Sequence, residues 1–91
     1  MADLVKTAMV TGASAGLGAE FCRQLAEHCD VIIGVARRDD RLAELAEQLP
    51  EVEFHGVCAD LDSIEGVARV MEALRQKGPV DYLVNNAGFS T

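Results

Sequence analysis

The sequence predicts an α/β fold in which a doubly wound parallel sheet carries helices on both faces. Short apolar runs alternate with segments of helical periodicity, in the order βαβαβαβ. The run at 31–36 is apolar throughout, which is typical of a strand covered on both faces. Because helices separate the strands, we expect parallel pairing in the order 3-2-1-4 and a ligand at the carboxyl ends of strands 1 and 4.

The first half of the chain contains two predicted strands, each followed by a helix. Strand 1 covers residues 7–11 and leads into a glycine-rich turn, and strand 2 covers 31–36. Asp39 and Asp40 are candidate N-caps of the second helix, which Pro50 ends. The apolar residues that recur at helical spacing are Leu17, Phe21, Leu25 and Ala26 in the first helix, and Leu42, Leu45, Ala46 and Leu49 in the second.

The second half repeats this pattern, with strand 3 at 52–59 and strand 4 at 80–84. Asp62 or Ser63 begins the third helix, and Gly78 before Pro79 is expected to be a left-handed C-cap. The only tyrosine, Tyr82, is expected in the core of strand 4. The expected buried stripe of the third helix consists of Ile64, Val67, Ala68, Met71 and Leu74.

The composition fits one small globular domain, 1–91, and excludes several functions. The net charge of −7 disfavours binding to nucleic acid. The longest apolar run is too short to cross a membrane, and the N-terminus has no secretory h-region. Cys22, Cys29 and Cys58 are odd in number and lack metal-type spacing, so we expect no metal site and a reduced, cytoplasmic protein.

The first motif with chemical content is the turn after strand 1, Thr-Gly-x-x-x-Gly-x-Gly at 11–18. Gly12 permits a tight turn, Gly16 permits close approach to a pyrophosphate, and Gly18 permits packing of the helix on the sheet. The N–H groups at the helix N-terminus then face the phosphates. A functionless glycine-rich turn is the alternative, but the strand before it and the amphipathic helix after it favour nucleotide binding.

A second motif, Asn85-Asn86-Ala87-Gly88, closes strand 4. Alone it could simply fix a turn. Together with the first motif and with Asp60-Leu61 after strand 3, it resembles the short-chain dehydrogenase/reductase superfamily, a Rossmann-like fold, over nearly the whole chain.

This resemblance implies a dinucleotide site with assigned roles for its residues. Asp60 accepts a hydrogen bond from the adenine amino group, and Leu61 lies against the ring. Asn86 ties strand 4 to its neighbours, with Thr11 as the expected partner. Residues bordering the pyrophosphate and the adenine ribose are Ser14, Ala15, Gly16 and Leu17, and those beside the nicotinamide ribose are Asn86, Ala87 and Gly88.

Arg37 and Arg38, at the end of strand 2, bear on the choice of cofactor. An NAD site needs an acid here for the ribose 2′-hydroxyl, whereas Ala36 stands at the expected position. Arginine can bind a 2′-phosphate bidentately, so we expect NADP(H) to be favoured over NAD(H). The alternative is that both arginines are solvated and balance the charges of Asp39 and Asp40. Ala15 departs from the pattern of many NADP-using relatives, which carry a basic residue in the glycine motif.

The chain lacks the family's Tyr-x-x-x-Lys pair, since Asn86 stands four residues after Tyr82. We therefore expect the N-terminal half of an NADP(H)-dependent oxidoreductase that acts on a small carbonyl or alcohol. A non-catalytic nucleotide-binding or redox-sensing module is the alternative, and a methyltransferase is disfavoured because strand 2 ends without an acid. The apolar edge at strand 4 predicts a homo-oligomer.

Overall fold

The computed structural model describes residues 5–13 and 16–86. Within these residues, four strands alternate with three helices, and all the strands are parallel in the order β3-β2-β1-β4. The elements are β1 Thr7–Thr11, α1 Gly16–Leu25, β2 Val31–Ala36, α2 Asp39–Gln48, β3 Glu53–Cys58, α3 Ile64–Lys77 and β4 Tyr82–Asn85. The predicted α/β class and strand order are confirmed.

The two central strands, β1 and β2, are buried along their whole length. Side chains on successive positions of a strand point to opposite faces, so each strand serves two cores. Ala8 and Ile32 pack into the core beneath α1 and α2. Met9 and Ile33 pack into the core beneath α3. Helices therefore cover both faces of the sheet, as the predicted doubly wound arrangement requires.

The edge strands are shorter than predicted. β3 covers 53–58 rather than 52–59, and β4 begins at Tyr82 rather than at residue 80. Asp81 explains the late start of β4, because its side-chain Oδ2 accepts a hydrogen bond from Thr7 N at 2.9 Å, while its own N–H donates to Thr7 O at 2.7 Å. The prediction that Tyr82 lies in the core is wrong, since 41% of it is exposed.

The N-caps predicted for α2 are also wrong. Arg38 occupies the N-cap position without a side-chain capping bond, and Asp39 and Asp40 lie in the first helical turn. There they complement the partial positive charge of the helix N-terminus. The predicted apolar stripe is largely correct, because Leu42, Leu45 and Leu49 are buried and Ala46 is half-buried.

The start of α3 agrees with one of the two predicted caps, since Ser63 Oγ accepts a hydrogen bond from Gly66 N at 2.9 Å. Its predicted buried stripe is wrong: Ile64, Val67, Ala68 and Met71 are exposed, and of that set Leu74 alone packs on the core. The residues of α3 that face the sheet are Gly66, Val70, Ala73 and Leu74.

The end of α3 differs from the predicted left-handed cap. Gly78 has φ −71° and ψ 178°, an extended conformation. Pro79 accounts for this, because a proline restricts the residue before it to extended conformations.

Candidate functional site

The glycine-rich turn joins the carboxyl end of β1 to the N-terminus of α1. Gly12 and Gly16 have φ values of 66° and 52°, in the left-handed region that favours glycine. At Gly18, a Cβ would lie 1.9 Å from the Gly12 carbonyl oxygen, so the helix starts in direct contact with the turn. Ser14 and Ala15, which the motif also implicates, lie outside the described residues.

The space around Gly16 is open in the part of the chain that the structure describes. A Cβ built at Gly16 would meet no atom of the described residues within 4 Å. Leu17, which the resemblance places beside the pyrophosphate, is 64% exposed next to the turn. The inner face of α1 is formed by Ala19 and Cys22, with Phe21 and Leu25 partly buried beside them. Backbone N–H groups at a helix N-terminus lack helical partners, so this space is suited to a phosphate group.

Asn86 and Thr11 connect the end of β4 to the glycine turn. The Asn86 backbone N–H donates to Thr11 Oγ1 at 2.9 Å, and Thr11 Oγ1 donates to Asn85 Oδ1 at 3.0 Å. The Asn86 side-chain Nδ2 donates to the Gly12 carbonyl at 3.3 Å. Asn86 thus has the expected partner, Thr11. Its two hydrogen bonds connect the end of β4 to the end of β1, where the strand order reverses. Ala87 and Gly88 lie outside the described residues.

The two arginines after β2 have different environments. Arg38 is paired with Asp40, at 3.2 Å from Nε to Oδ1 and 3.0 Å from Nη2 to Oδ2. This hydrogen bonding raises the pKa of Arg38 and lowers the pKa of Asp40. Arg37 instead lines a cavity at the carboxyl ends of β2 and β3. The pairing with a nearby aspartate that the alternative expects is present for Arg38. Arg37 is exposed as well, but it lines the cavity and stays the candidate for a 2′-phosphate.

The turn between β3 and α3 carries Asp60 and Leu61. Asp60 Oδ1 accepts a hydrogen bond from Asp62 N at 2.9 Å, and Ser63 Oγ donates to the Asp60 carbonyl at 3.0 Å. A Cβ at Gly66 would lie 1.9 Å from that carbonyl oxygen, so α3 begins against the turn. These contacts fix the Asp60 carboxylate at the end of β3, and Leu61 is 37% exposed next to it.

Asp60 and Arg37 share the cavity, whose volume is about 280 Å³. Ligand sites for whole small molecules usually measure about 300–1,000 Å³, so this cavity suits one part of a dinucleotide. Its lining includes Arg37, Cys58, Asp60, Ser63, Gly66 and Arg69. The carboxyl ends of the strands thus carry two neighbouring features, an open glycine turn and a charged cavity.

Sequence reasoning missed Arg69, whose Nη1 donates to the Cys58 carbonyl at 2.9 Å. Its position three residues after Gly66 was the available signal, because residues three apart share a helix face. The spacing alone is not sufficient, because the sequence does not show which face of α3 contacts the end of β3.

The cysteines are unpaired. Burial raises the pKa of the Cys22 thiol to about 12, so this thiol is unreactive at neutral pH. Among the described residues, no three His, Cys, Asp or Glu side chains come together as metal ligands. No helix within 5–13 and 16–86 has the length and apolar content needed to span a membrane.

Taken together, a parallel sheet with a glycine turn at its switch point is an arrangement typical of nucleotide-binding α/β proteins. A profile of the short chain dehydrogenase family matches residues 6–91. The chain belongs to this family of oxidoreductases.

Individual relatives agree with this assignment and differ in what they act on. Farnesol dehydrogenase of Aedes aegypti is 42% identical over 88 residues, which are 92% of this chain and 36% of that protein. L-Sorbose reductase of Gluconobacter frateurii, solved with NADPH and L-sorbose, has a TM-score of 0.86 and 40% identity, over 96% of this chain and 35% of that one.

A short-chain dehydrogenase of Sphingobium yanoikuyae, solved with NADPH, has a TM-score of 0.84 and 33% identity, over 96% of this chain and 35% of that one. The chain thus spans little more than a third of the length of these relatives.

Proposed function

We propose that this chain binds NADP(H) as the N-terminal part of the dinucleotide-binding domain of an oxidoreductase. The reaction is hydride transfer between the nicotinamide and a carbonyl or hydroxyl carbon. The observation that carries the proposal is that Arg37 and Asp60 line one cavity at the carboxyl ends of β2 and β3. A cation for a 2′-phosphate and an acceptor for an adenine amino group are thereby adjacent.

The residues present fit the phosphates of the same cofactor. Gly16 has open space around it among the described residues and is the first residue of α1, where the partial positive charge of the helix N-terminus favours anions. This local positive charge is needed for phosphate binding, because the chain as a whole has a net charge of −7, which repels anions. Asn86 closes the crevice from β4 through its bond to Gly12 O.

The family supports the finer parts of the proposal. L-Sorbose reductase and the Sphingobium yanoikuyae enzyme were both solved with NADPH. Farnesol and L-sorbose are very different molecules, so we propose only a small carbonyl or alcohol as substrate class. We further propose a cytoplasmic location, because unpaired cysteines are typical of a reducing compartment.

The test compares NADPH and NADH binding, by fluorescence titration, in the wild-type protein and in Arg37→Asp. Charge-assisted hydrogen bonds to a phosphate contribute about 1.5–3 kcal/mol, so we expect NADPH binding to weaken by about 10- to 150-fold. NADH binding should be unchanged or stronger, because an aspartate can accept from the 2′-hydroxyl.

Arg38→Asp is the matched control for this substitution. It makes the same charge change at the next residue, whose guanidinium is already paired with Asp40. We expect a smaller loss of NADPH binding than in Arg37→Asp. Equal NADPH affinity in wild type and Arg37→Asp would contradict the proposed role of Arg37, and a wild-type protein that binds neither dinucleotide would contradict the function as a whole.

A further inference from the structure

We propose that Arg69, on α3, forms part of the adenine subsite and contributes to binding of the adenine base independently of the 2′-phosphate. This inference rests on the proposed function, because it requires the adenine half of a dinucleotide to occupy the cavity shared by Arg37 and Asp60. The role differs from that of Arg37, which is assigned to the phosphate.

The position of the Arg69 guanidinium is fixed by its contact with β3. Its Nη1 donates to the Cys58 carbonyl at 2.9 Å, one residue before Ala59 and two before Asp60. Gly66 brings the start of α3 into contact with the Asp60 backbone. The guanidinium is thereby held at the carboxyl end of β3, and Arg69 is one of the residues that line the cavity there.

The lining of the cavity offers both donors and acceptors beside the group assigned to the phosphate. Its charged lining residues are Arg37, Arg69, Asp60 and Glu65. With Arg37 assigned to the 2′-phosphate, the rest of the charged lining combines one guanidinium group, that of Arg69, with two carboxyl groups. A purine, which presents hydrogen-bond donors and acceptors at its edge and an aromatic face, matches this mixed lining.

Arginine is well suited to this task. The guanidinium has five N–H donors, and the bond to Cys58 O engages one of its nitrogen atoms. The remaining donors can bind purine ring nitrogens, and the planar group can stack on the base. Both interactions depend on the base and not on the substituent at the ribose 2′ position.

Arg69→Ala tests the inference through a pattern of affinities. We expect NADPH, NADH and adenosine 2′,5′-bisphosphate all to bind about 3- to 20-fold more weakly, by a similar factor. Reduced nicotinamide mononucleotide, which has no adenine, should bind as it does to wild type. Arg75→Ala is the control, because Arg75 lies on the same helix and pairs with Glu72 at the surface.

The outcomes separate this inference from the proposed function. If the wild-type protein binds NADPH but Arg69→Ala binds all ligands equally well, the inference is overturned and the proposed function stands. If Arg69→Ala weakens the binding of NADPH alone, the inference is overturned and Arg69 contacts the phosphate instead. If Arg69→Ala also weakens the binding of reduced nicotinamide mononucleotide, the inference is overturned and the role of Arg69 is structural. If Arg69→Ala fails to fold, Arg69→Lys keeps the cation without the planar group and should show the same pattern.

Discussion

Gly18 decides whether α1 can begin against the end of β1, because a Cβ there would lie 1.9 Å from the Gly12 carbonyl oxygen. We expect Gly18→Ala to lower the free energy of unfolding by about 1–3 kcal/mol, as overpacking typically does. The urea midpoint, followed by far-ultraviolet circular dichroism, measures this change.

Gly16→Ala is the comparison that separates crowding from backbone strain. Gly16 has a positive φ of 52°, but its Cβ would meet no atom within 4 Å. Its cost should therefore be that of the left-handed conformation alone, about 1–2 kcal/mol. A urea midpoint for Gly18→Ala equal to that of wild type would show that the helix shifts freely on the turn.

Asp60 makes a prediction about recognition of the adenine amino group. An analogue of NADPH with hypoxanthine in place of adenine carries a carbonyl oxygen there, which the Asp60 carboxylate would repel. We expect wild type to prefer NADPH over this analogue by about 10-fold or more, since hydrogen bonds to charged groups contribute about 1.5–3 kcal/mol. Competitive titration of the two ligands measures the preference.

Asp60→Ala should bind the two ligands with nearly equal affinity. Asp62→Ala is the matched control, because it removes a carboxylate two residues from Asp60. The backbone N–H of residue 62, which donates to Asp60 Oδ1, is retained in this variant. A preference for NADPH that survives in Asp60→Ala would assign the recognition of adenine to another group.

The helix α3 shows how far sequence periodicity can reach. The spacing of its apolar residues correctly predicts a helix, but Ile64 is 89% exposed, whereas Val70 and Ala73 pack on the sheet. A second apolar face lies on the same helix, and periodicity alone cannot tell which face meets the sheet. The contact of Arg69 with Cys58 was missed for this reason, because it depends on which face of α3 meets the end of β3.

Local chemistry was easier to predict than packing. The contact between Asn86 and Thr11 follows from two motifs at neighbouring strand ends, and it is present. The conformation of Gly78 was predicted wrongly, because the restriction imposed by Pro79 outweighs the glycine preference for left-handed caps. Motifs thus predict which residues meet at a strand end, while helix faces depend on the whole packing.

A charged cluster links the start of β3 to the end of α3 and predicts a pH dependence of stability. Glu53 Oε2 bonds to His55 Nε2 and to Lys77 Nζ, the latter at 3.2 Å. The hydrogen bond from His55, and next that from Lys77, lower the pKa of Glu53 from its ordinary value of 4.5. A lowered pKa in the folded state stabilises the fold above the unfolded value, and this contribution is lost as the pH falls through the folded pKa.

Glu53→Gln should therefore destabilise the protein at pH 7 and have a smaller effect at pH 3. The difference between the urea midpoints of wild type and variant, measured at both pH values, gives the change. Glu51→Gln serves as control, since it neutralises a carboxylate just before β3 and outside the Glu53 cluster. If Glu53→Gln lowers the urea midpoint by the same amount at both pH values, ionisation of the Glu53 carboxyl group does not contribute to the pH dependence of stability.

At the scale of the whole molecule, the 91-residue polypeptide is expected to bind cofactor without turning it over. Its one tyrosine, Tyr82, is followed four residues later by Asn86, so the sequence does not contain the Tyr-x-x-x-Lys spacing on which the expectation of activity in this family depends. Loss of catalytic groups costs orders of magnitude in rate. NADPH oxidation with a generic ketone should stay at background, and a turnover near 1 s⁻¹, measured on polypeptide of verified mass, would contradict this.

The sheet has one exposed apolar edge in the part of the chain that the structure describes. There β4 pairs with β1 on one side only, and Leu83 is 65% exposed along it. An edge strand presents unpaired N–H and C=O groups that favour pairing with another chain. The helix α3 exposes Ile64, Val67 and Met71 as well. A folded chain of this size buries only about 60–65% of the surface of its unfolded form, so added burial matters to its stability.

We therefore expect the 91-residue polypeptide to associate through β4, with two copies related by a two-fold axis and their β4 strands antiparallel. The net charge of −7 opposes association, but at about 0.15 M salt charges are screened beyond about 8 Å. Sedimentation equilibrium should give a mass above 9.7 kDa for wild type and a shift towards monomer for Leu83→Lys. Val5→Lys is the matched control, because Val5 is 62% exposed and precedes β1, away from the β4 edge. A wild-type polypeptide that remains a folded monomer at high concentration would contradict pairing through β4, as would equal effects of the two lysine substitutions.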